Sequence, residues 1–334
     1  MARIDANMSR HRRAGLWLIA FSLAMTMPGW PQASQQKAKP AASPKSAQTA
    51  PDDSLLTLRA AVSEVHVVFF VTDKHGHYVK NLTEKDFEIR DDHKPPQEIL
   101  NFRSETDLPL EVGLLIDTSE SVRDRFAFEK EAASDFLQET LRKGYDHAFV
   151  MGFDLSPKVT QEFTDDPVKL AEGIQKLQPG NLTAMYDAVQ YACRERLLKQ
   201  AENKPVRRMI VLLSDGLDNA STITRAKAID TAQQSEVSVF AISTSLTHSG
   251  GPGYKNLESM AEATGGRSYV PIRLTEVRDA FAAVQENLRS QYSLSYRAAD
   301  FKVDGHYRAI EIRVISQRGL HVHCRKGYRS LAPG

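Results

Sequence analysis

Three short stretches of the sequence combine carboxylate and hydroxyl side chains in a pattern that suits a hard metal ion. The first is Asp117-Thr118-Ser119-Glu120-Ser121, the second contains Thr183, and the third is Ser214-Asp215-Gly216. Alternate residues of an extended segment point the same way, so Ser119 and Ser121 can face one ion together. The five predicted ligands all supply oxygen atoms, which Mg²⁺, Mn²⁺ and Ca²⁺ prefer and zinc does not: Asp117, Ser119, Ser121, Thr183 and Asp215.

These stretches can meet only if the elements before them lie side by side. Continuous apolar runs typical of buried strands cover 112–116, 148–153, 209–213 and 237–242. Helical patterns follow them at 122–142, 167–177, 184–199, 225–235 and 276–289. This alternation predicts an α/β fold: a doubly wound, mostly parallel sheet with helices on both faces. Ligands of such sheets bind beyond the carboxyl ends of the strands, where the three stretches begin.

The chain on either side of this region has β character instead. Short alternating segments occur around 65–71 and 86–102, and again around 292–296, 307–315 and 320–324. Neither group alone could bury an adequate core, so together they predict one small β-sandwich into which the α/β region is inserted. The predicted boundaries are 54–108 for the first part of the sandwich, 109–290 for the α/β domain and 291–330 for the second part.

The N-terminus has the features of an export signal. Arg10, Arg12 and Arg13 precede an apolar run over 14–27, which is shorter than the roughly 20 residues of a membrane span. Residues 1–33 are therefore predicted to be a signal peptide, and the Ala/Pro/Ser/Lys-rich residues 34–53 a disordered linker. An exported protein of the periplasm, the cell envelope or the extracellular space is expected. The alternative is an uncleaved anchor, and only then is membrane contact expected.

Composition and missing motifs exclude several function classes. Lys and Arg (43) nearly cancel Asp and Glu (42), so no nucleic-acid partner is expected. Cys193 and Cys324 are too few for a disulfide framework and are expected to be unpaired. Asp117 could be the nucleophile of a haloacid-dehalogenase-like phosphatase, but Ser119 stands where the general acid is required. The G-x-S-x-G, P-loop and H-E-x-x-H motifs are absent, and no enzyme is expected.

Simpler explanations exist for each stretch taken alone. Asp117 and the two serines could cap a helix beginning near Val122, Thr183 could be another N-cap, and Asp215-Gly216 could be a plain turn. The glycine-rich run Gly250-Gly251-Pro252-Gly253 lacks the strand–turn–helix context of a phosphate loop. A flexible loop is expected there.

Taken together, the three stretches resemble a known site. Asp117-x-Ser119-x-Ser121, Thr183 and Asp215 match the metal-ion-dependent adhesion site (MIDAS) of von Willebrand factor type A domains, and the resemblance covers about 109–289. It implies that Ser119, Ser121 and Thr183 contact the metal, while Asp117 and Asp215 act directly or through water. Two positions depart from the family pattern, because Glu120 and Leu182 stand where glycine is common.

The wider layout is similar to exported von Willebrand A-related proteins of Acidobacteria and similar bacteria. The similarity rests on Val-Thr-Asp at 71–73, on Leu-Thr-x-x-Asp-Phe at 82–87 and on Arg-Lys-Gly-Tyr at 325–328. It implies an adhesion-type module whose divalent ion is completed by a Glu or Asp carboxylate of a partner protein. The alternative is a metal-free scaffold protein of the cell envelope. The oligomeric state does not follow from the sequence.

Overall fold

The computed structural model describes residues 64–104, 108–120, 125–199, 206–245, 250–273 and 275–330. The predicted signal peptide, the predicted linker and the predicted ligand Ser121 lie outside the described residues. Within the described ranges, no helix combines the length and the apolar character that crossing a bilayer requires.

A six-stranded sheet is the centre of the α/β region. Its order is β6-β5-β4-β7-β8-β9, and every neighbouring pair is parallel except β5 with β6. All eight residues of the central strand β4 are buried, because helices cover both faces of the sheet. The strands are β4 (Leu110–Asp117), β5 (His147–Phe153), β6 (Pro157–Thr164), β7 (Arg207–Ser214), β8 (Val237–Ser243) and β9 (Ser268–Tyr269).

Two hydrophobic cores lie on the two faces of this sheet. Leu114 of β4 joins a core with Phe136 and Phe281 on one face, and Leu115 joins a core with Met260 on the other. Adjacent strand residues thus serve opposite faces. The helices are α1 (Phe126–Thr140), α2 (Pro167–Gln175), α3 (Met185–Tyr191, continued by a π-helical segment over Ala192–Leu197), α4 (Arg225–Gln234), α5 (Pro252–Thr264) and α6 (Thr275–Leu288). The predicted fold class is confirmed.

The sequence patterns do not predict three elements of the α/β region, which are β6, β9 and α5. β6 is an antiparallel edge strand of mixed burial, so it carries no apolar run that would reveal it. Helix α5 begins at Pro252, inside the glycine-rich run that was expected to be a flexible loop. That expectation is wrong for Pro252 and Gly253, since proline at the first helical turn favours helix formation.

Two antiparallel sheets form the remainder. The order of one is β12-β1-β10-β3 and of the other β13-β11-β2, so segments far apart in sequence pair throughout. Their shared core contains Phe69, Phe87, Tyr292 and Ile312. The strands are β1 (Glu64–Thr72), β2 (Phe87–Asp91), β3 (Glu98–Ser104), β10 (Gln291–Arg297), β11 (Tyr307–Val314), β12 (His321–Cys324) and β13 (Gly327–Arg329). The domain boundaries given above stay predictions.

The short motifs outside the α/β region have structural roles. Asp73 accepts hydrogen bonds from the backbone of His75 and His77 and so closes the turn after β1. Arg325 is buried and donates to the carbonyls of His66 and Gln233, which ties the antiparallel sheets to the region of helix α4. Both cysteines are free thiols, as expected.

A buried aspartate joins the two antiparallel sheets. Asp91 is fully buried at the end of β2, and its Oδ1 accepts a hydrogen bond from Nε of Arg308 at 2.6 Å. Its other oxygen accepts the hydroxyls of Tyr296 at 2.7 Å and Tyr328 at 2.8 Å. Tyr296 belongs to the first sheet and the other three residues to the second, so this network fixes the sheets against each other.

Replacing Asp91 by alanine should therefore destabilise the protein strongly. The variant leaves a buried guanidinium without its carboxylate, which should lower the free energy of unfolding by about 3–5 kcal/mol in urea titrations. Glu88→Ala is the matched control, because it breaks an exposed ion pair with Arg90 on the same strand. The free energy of unfolding of this control variant should fall by less than about 1 kcal/mol. Equal losses would contradict the proposed role of the network.

Candidate metal centre

Asp117 lies at the carboxyl end of the central strand and is completely buried. Its Oδ1 accepts the backbone N–H of Ser119 at 2.9 Å, and its Oδ2 accepts the hydroxyl of Ser214 at 2.7 Å. The Ser214 oxygen in turn accepts the N–H of Gly216 at 3.1 Å. The first and third stretches are thus joined at the ends of two neighbouring strands.

The second stretch is fastened to the other two through its backbone. Thr183 N–H donates to Oδ1 of Asn219 at 2.9 Å, and the Thr183 carbonyl accepts Asn219 N–H at 3.0 Å. On the other side, Gly180 N–H donates to the carbonyl of Thr118. The structure therefore brings Asp117, Ser119, Thr183 and Asp215 to one edge of the sheet.

Two of the simpler explanations concern helix caps. Helix α1 begins at Phe126, after Arg125, and no side chain caps it. The N-cap of α3 is Ala184 rather than Thr183. Asp215 does close a local turn, since its Oδ1 accepts Leu217 N–H at 2.9 Å. The structure thus agrees with the turn at Asp215 and not with a cap at Thr183, whereas residues 121–124, where a helix near Val122 would begin, lie outside the described residues.

The electrostatics of the site favour a cation. Burial, with a smaller contribution from the charge of Asp215, raises the pKa of Asp117 to about 6, against the hydrogen bonds from Ser119 and Ser214 that lower it. Two carboxylates of like charge within electrostatic reach are stabilised by a divalent ion. Ser119 and Thr183, each at most 4% exposed, add neutral hydroxyl oxygens. This all-oxygen donor set fits Mg²⁺.

Hydroxyl groups are essential to that fit. In the described part of the chain, no cluster of three or more His, Cys, Asp or Glu side chains is placed to hold a metal ion. A site at this edge has only two predicted carboxylate ligands and depends on serine and threonine for the rest. The ligand set as a whole stays a prediction, and Ser121 is not among the described residues.

Two aspartates outside the predicted ligand set hold the third stretch in place. Asp187 of α3 accepts the N–H groups of Thr222 at 2.8 Å and Ile223 at 3.1 Å. Asp218 accepts Tyr186 N–H at 3.0 Å. Together they fix the loop after Asp215 against helix α3. The sequence gave no sign of this role, because the backbone groups that bond to these two carboxylates lie more than 30 residues away along the chain.

Helix α5 also supports the site, through close contact between two glycines. Gly216 has a φ of +78°, and a Cβ there would collide with the carbonyl oxygen of Gly253. A Cβ on Gly253 would collide with the carbonyl oxygen of Asp215. The glycine-rich run therefore allows the start of α5 to pack directly against the backbone of Asp215.

Three leucines surround this edge and point into solvent. Leu155, Leu182 and Leu217 are 58%, 42% and 48% exposed. Leu182 precedes Thr183, and Leu217 donates its N–H to Asp215. Leu155 follows Asp154, whose carbonyl accepts the N–H of Ala184. We call these three residues the leucine rim. Leu182, which replaces the family glycine, adopts no positive φ and leaves Thr183 buried.

Comparisons with known proteins agree with this architecture. Residues 112–217 match the sequence model of the von Willebrand factor type A domain. This chain therefore carries a von Willebrand factor type A domain, as the motif pattern indicated. A search of curated protein sequences finds no match. The finer resemblance to exported proteins of Acidobacteria stays a prediction.

Several solved structures are similar to part of this chain. A von Willebrand factor type A protein from Catenulispora acidiphila has 12% identity and a TM-score of 0.49, over 81% of this chain and 74% of that one. Proximal thread matrix protein 1 from the mussel byssus has 17% identity and a TM-score of 0.48, over 60% of this chain. The match spans only half the length of the mussel protein.

Gly216→Ala should disturb the site more than an ordinary glycine replacement. Left-handed backbone costs an alanine about 1–2 kcal/mol, and the collision with Gly253 should add about 1–3 kcal/mol of unfolding free energy. Gly144→Ala is the control, because Gly144 has a similar φ of +74° and open space around its Cα. Urea unfolding of both variants measures the difference. Equal losses would mean that the contact with α5 is not tight.

Proposed function

We propose that this protein is a binding module that recognises a partner protein through a divalent cation, foremost Mg²⁺. The ion would be held by Asp117, Ser119, Ser121, Thr183 and Asp215. The observation that carries the proposal is the fully buried carboxylate of Asp117, which lies beside a second aspartate and buried hydroxyls. Such an arrangement supports ion binding, because carboxylate and hydroxyl oxygens are the ligands that a hard cation prefers.

The ligand types determine what the bound ion can do. When bound, the ion offers a positive site to an anionic oxygen. Asp117 and Asp215 together balance its charge, and the hydroxyls of Ser119 and Thr183 add no further negative charge. A Glu or Asp side chain of a partner protein is the hard anionic oxygen that proteins commonly present at a surface. We therefore infer a partner carboxylate as the remaining ligand.

The leucine rim narrows the kind of partner. Three exposed apolar side chains around a polar centre resemble the polar-and-apolar mixture of protein interfaces. A partner acidic residue flanked by aliphatic side chains would satisfy both parts, with its carboxylate at the centre and its apolar neighbours on the rim. The basic and apolar N-terminus supports export, so we place this recognition in the cell envelope or outside the cell.

One observation favours a second candidate function. Both carboxylate oxygens of Asp117 already accept hydrogen bonds, from Ser119 and Ser214, so the edge is held together without an ion. This agrees with a metal-free scaffold protein. Ion titration separates the two functions, because only the first requires a change on adding Mg²⁺.

Asp117→Ala should abolish ion binding and, because the hydrogen bonds from Ser119 and Ser214 are lost with the carboxylate, should also lower the free energy of unfolding by about 1–3 kcal/mol. Calorimetric titration with Mg²⁺ and Mn²⁺ should show binding to the wild-type protein and none to the variant, because a central charged ligand is lost. Asp154→Ala is the control at the same edge. The variant keeps the backbone carbonyl that accepts the N–H of Ala184, and it loses a carboxylate that pairs with exposed Lys158. It should keep the wild-type affinity. Null titrations for both the wild type and Asp117→Ala would favour the metal-free scaffold.

Peptide selection tests the partner class directly. Random peptides selected on the Mg²⁺-loaded protein should be enriched in Asp or Glu next to Leu, Ile or Val, and EDTA should release them. Leu182→Ser should weaken the selected peptides about tenfold. Leu198→Ser is the control, with a similar exposure of 41% but about 20 Å further along the helix that follows Thr183. Peptides that bind equally in EDTA would contradict the proposal.

A further inference from the structure

Glu129 in helix α1 is a buried carboxyl group with no partner. It is 1% exposed, and neither of its oxygens has a hydrogen-bond partner within the described part of the chain. Burying a carboxyl group without such a partner is unfavourable, and folded proteins contain few examples. Where one occurs, it points to a group that compensates it, such as a bound ion.

Glu129 lies on the apolar face of helix α1, where an acidic side chain is unusual. It shares the buried face of α1 with Ala132, Ala133 and Phe136, which all pack in the hydrophobic core. The spacing of these residues is that of one apolar helix face. An acidic side chain therefore occupies a position where the helix pattern calls for an apolar residue.

Glu129 is within electrostatic reach of the candidate metal centre. Burial raises the pKa of Glu129 to about 7; the positive charge of Arg125 lowers it, and the negative charge of Asp117 raises it. Helix α1 begins at Phe126, nine residues after Asp117, and Glu129 lies in its first turn. Arg125 does not form an ion pair with Glu129, although it lies one helical turn before it.

We propose that Glu129 supports the divalent ion from outside its direct ligands, as a buried negative charge on the side of helix α1. This inference rests on the proposed ion-binding function and adds a residue that the MIDAS pattern does not include. The bound cation would compensate the buried carboxylate of Glu129. The nearby positive charge of Arg125 balances the added negative charge, so the ion remains able to accept a partner carboxylate.

The proposal has two separable consequences. Without the ion, the unpartnered Glu129 destabilises the protein, so replacing it by a neutral side chain should not reduce stability. With the ion, the same replacement removes an attractive charge and should weaken binding. A purely structural residue would behave in the opposite way, because its loss would lower stability and leave ion affinity unchanged.

The experiment compares wild type, Glu129→Gln and Glu129→Leu by two measurements. Calorimetric titration with Mg²⁺ and Mn²⁺ gives ion affinity, and thermal unfolding in EDTA gives the stability of the ion-free protein. Both variants should bind the ion about 10–100-fold more weakly, as is usual for carboxylates that support a metal from outside its direct ligands. Their unfolding temperatures in EDTA should equal or exceed that of the wild type.

The matched control is Glu139→Gln, at an exposed position about 15 Å further along the same helix, which should behave as wild type. Wild-type ion affinity in both Glu129 variants would overturn the inference and leave the proposed function standing. Loss of folding in both variants would make Glu129 structural and would also overturn it. Absence of ion binding by the wild-type protein would instead overturn the proposed function, and the inference with it.

Discussion

The buried carboxylate of Asp117 is the constraint on which the sheet edge depends. The central strand ends inside the protein, so its last side chain is withdrawn from water and must be satisfied by neighbouring groups. The hydroxyl of Ser214 and the N–H of Ser119 do this, and Gly216 extends the same network. Two neighbouring strands are thereby held in register at their carboxyl ends, where Asp215 begins the next loop.

The other loops are arranged around that point. The carbonyl of Thr118 holds the loop at Gly180, and Thr183 is fastened to Asn219. Asp187 and Asp218 fix the remaining part of the third loop to α3. Each of these contacts involves a backbone group, so the loops are held in place independently of the Thr183 side chain. This is the arrangement expected of a site organised before its ligand binds.

The two parts of the protein contain contrasting solutions to the same problem. Asp91 in the antiparallel sheets is fully buried, yet Arg308 supplies the opposite charge and two tyrosines complete its hydrogen bonds. Asp117 and Glu129 in the α/β region are equally buried, and neither forms an ion pair with a basic side chain among the described residues. The first arrangement stabilises a fold, whereas the second is the one that the proposed ion would compensate.

The sequence by itself determined the α/β fold class and the types of residue at its sheet edge. Buried parallel strands are continuous apolar runs, and the Asp-x-Ser spacing is local, so both are visible along the chain. The edge strand β6 and helix α5 lack such strong local patterns. Tertiary structure alone decided that Gly253 packs against Asp215, that Ser214 bonds to Asp117, and that Glu129 is buried within reach of that carboxylate. The reason is physical: burial and electrostatic reach depend on the packing of segments that are distant in sequence.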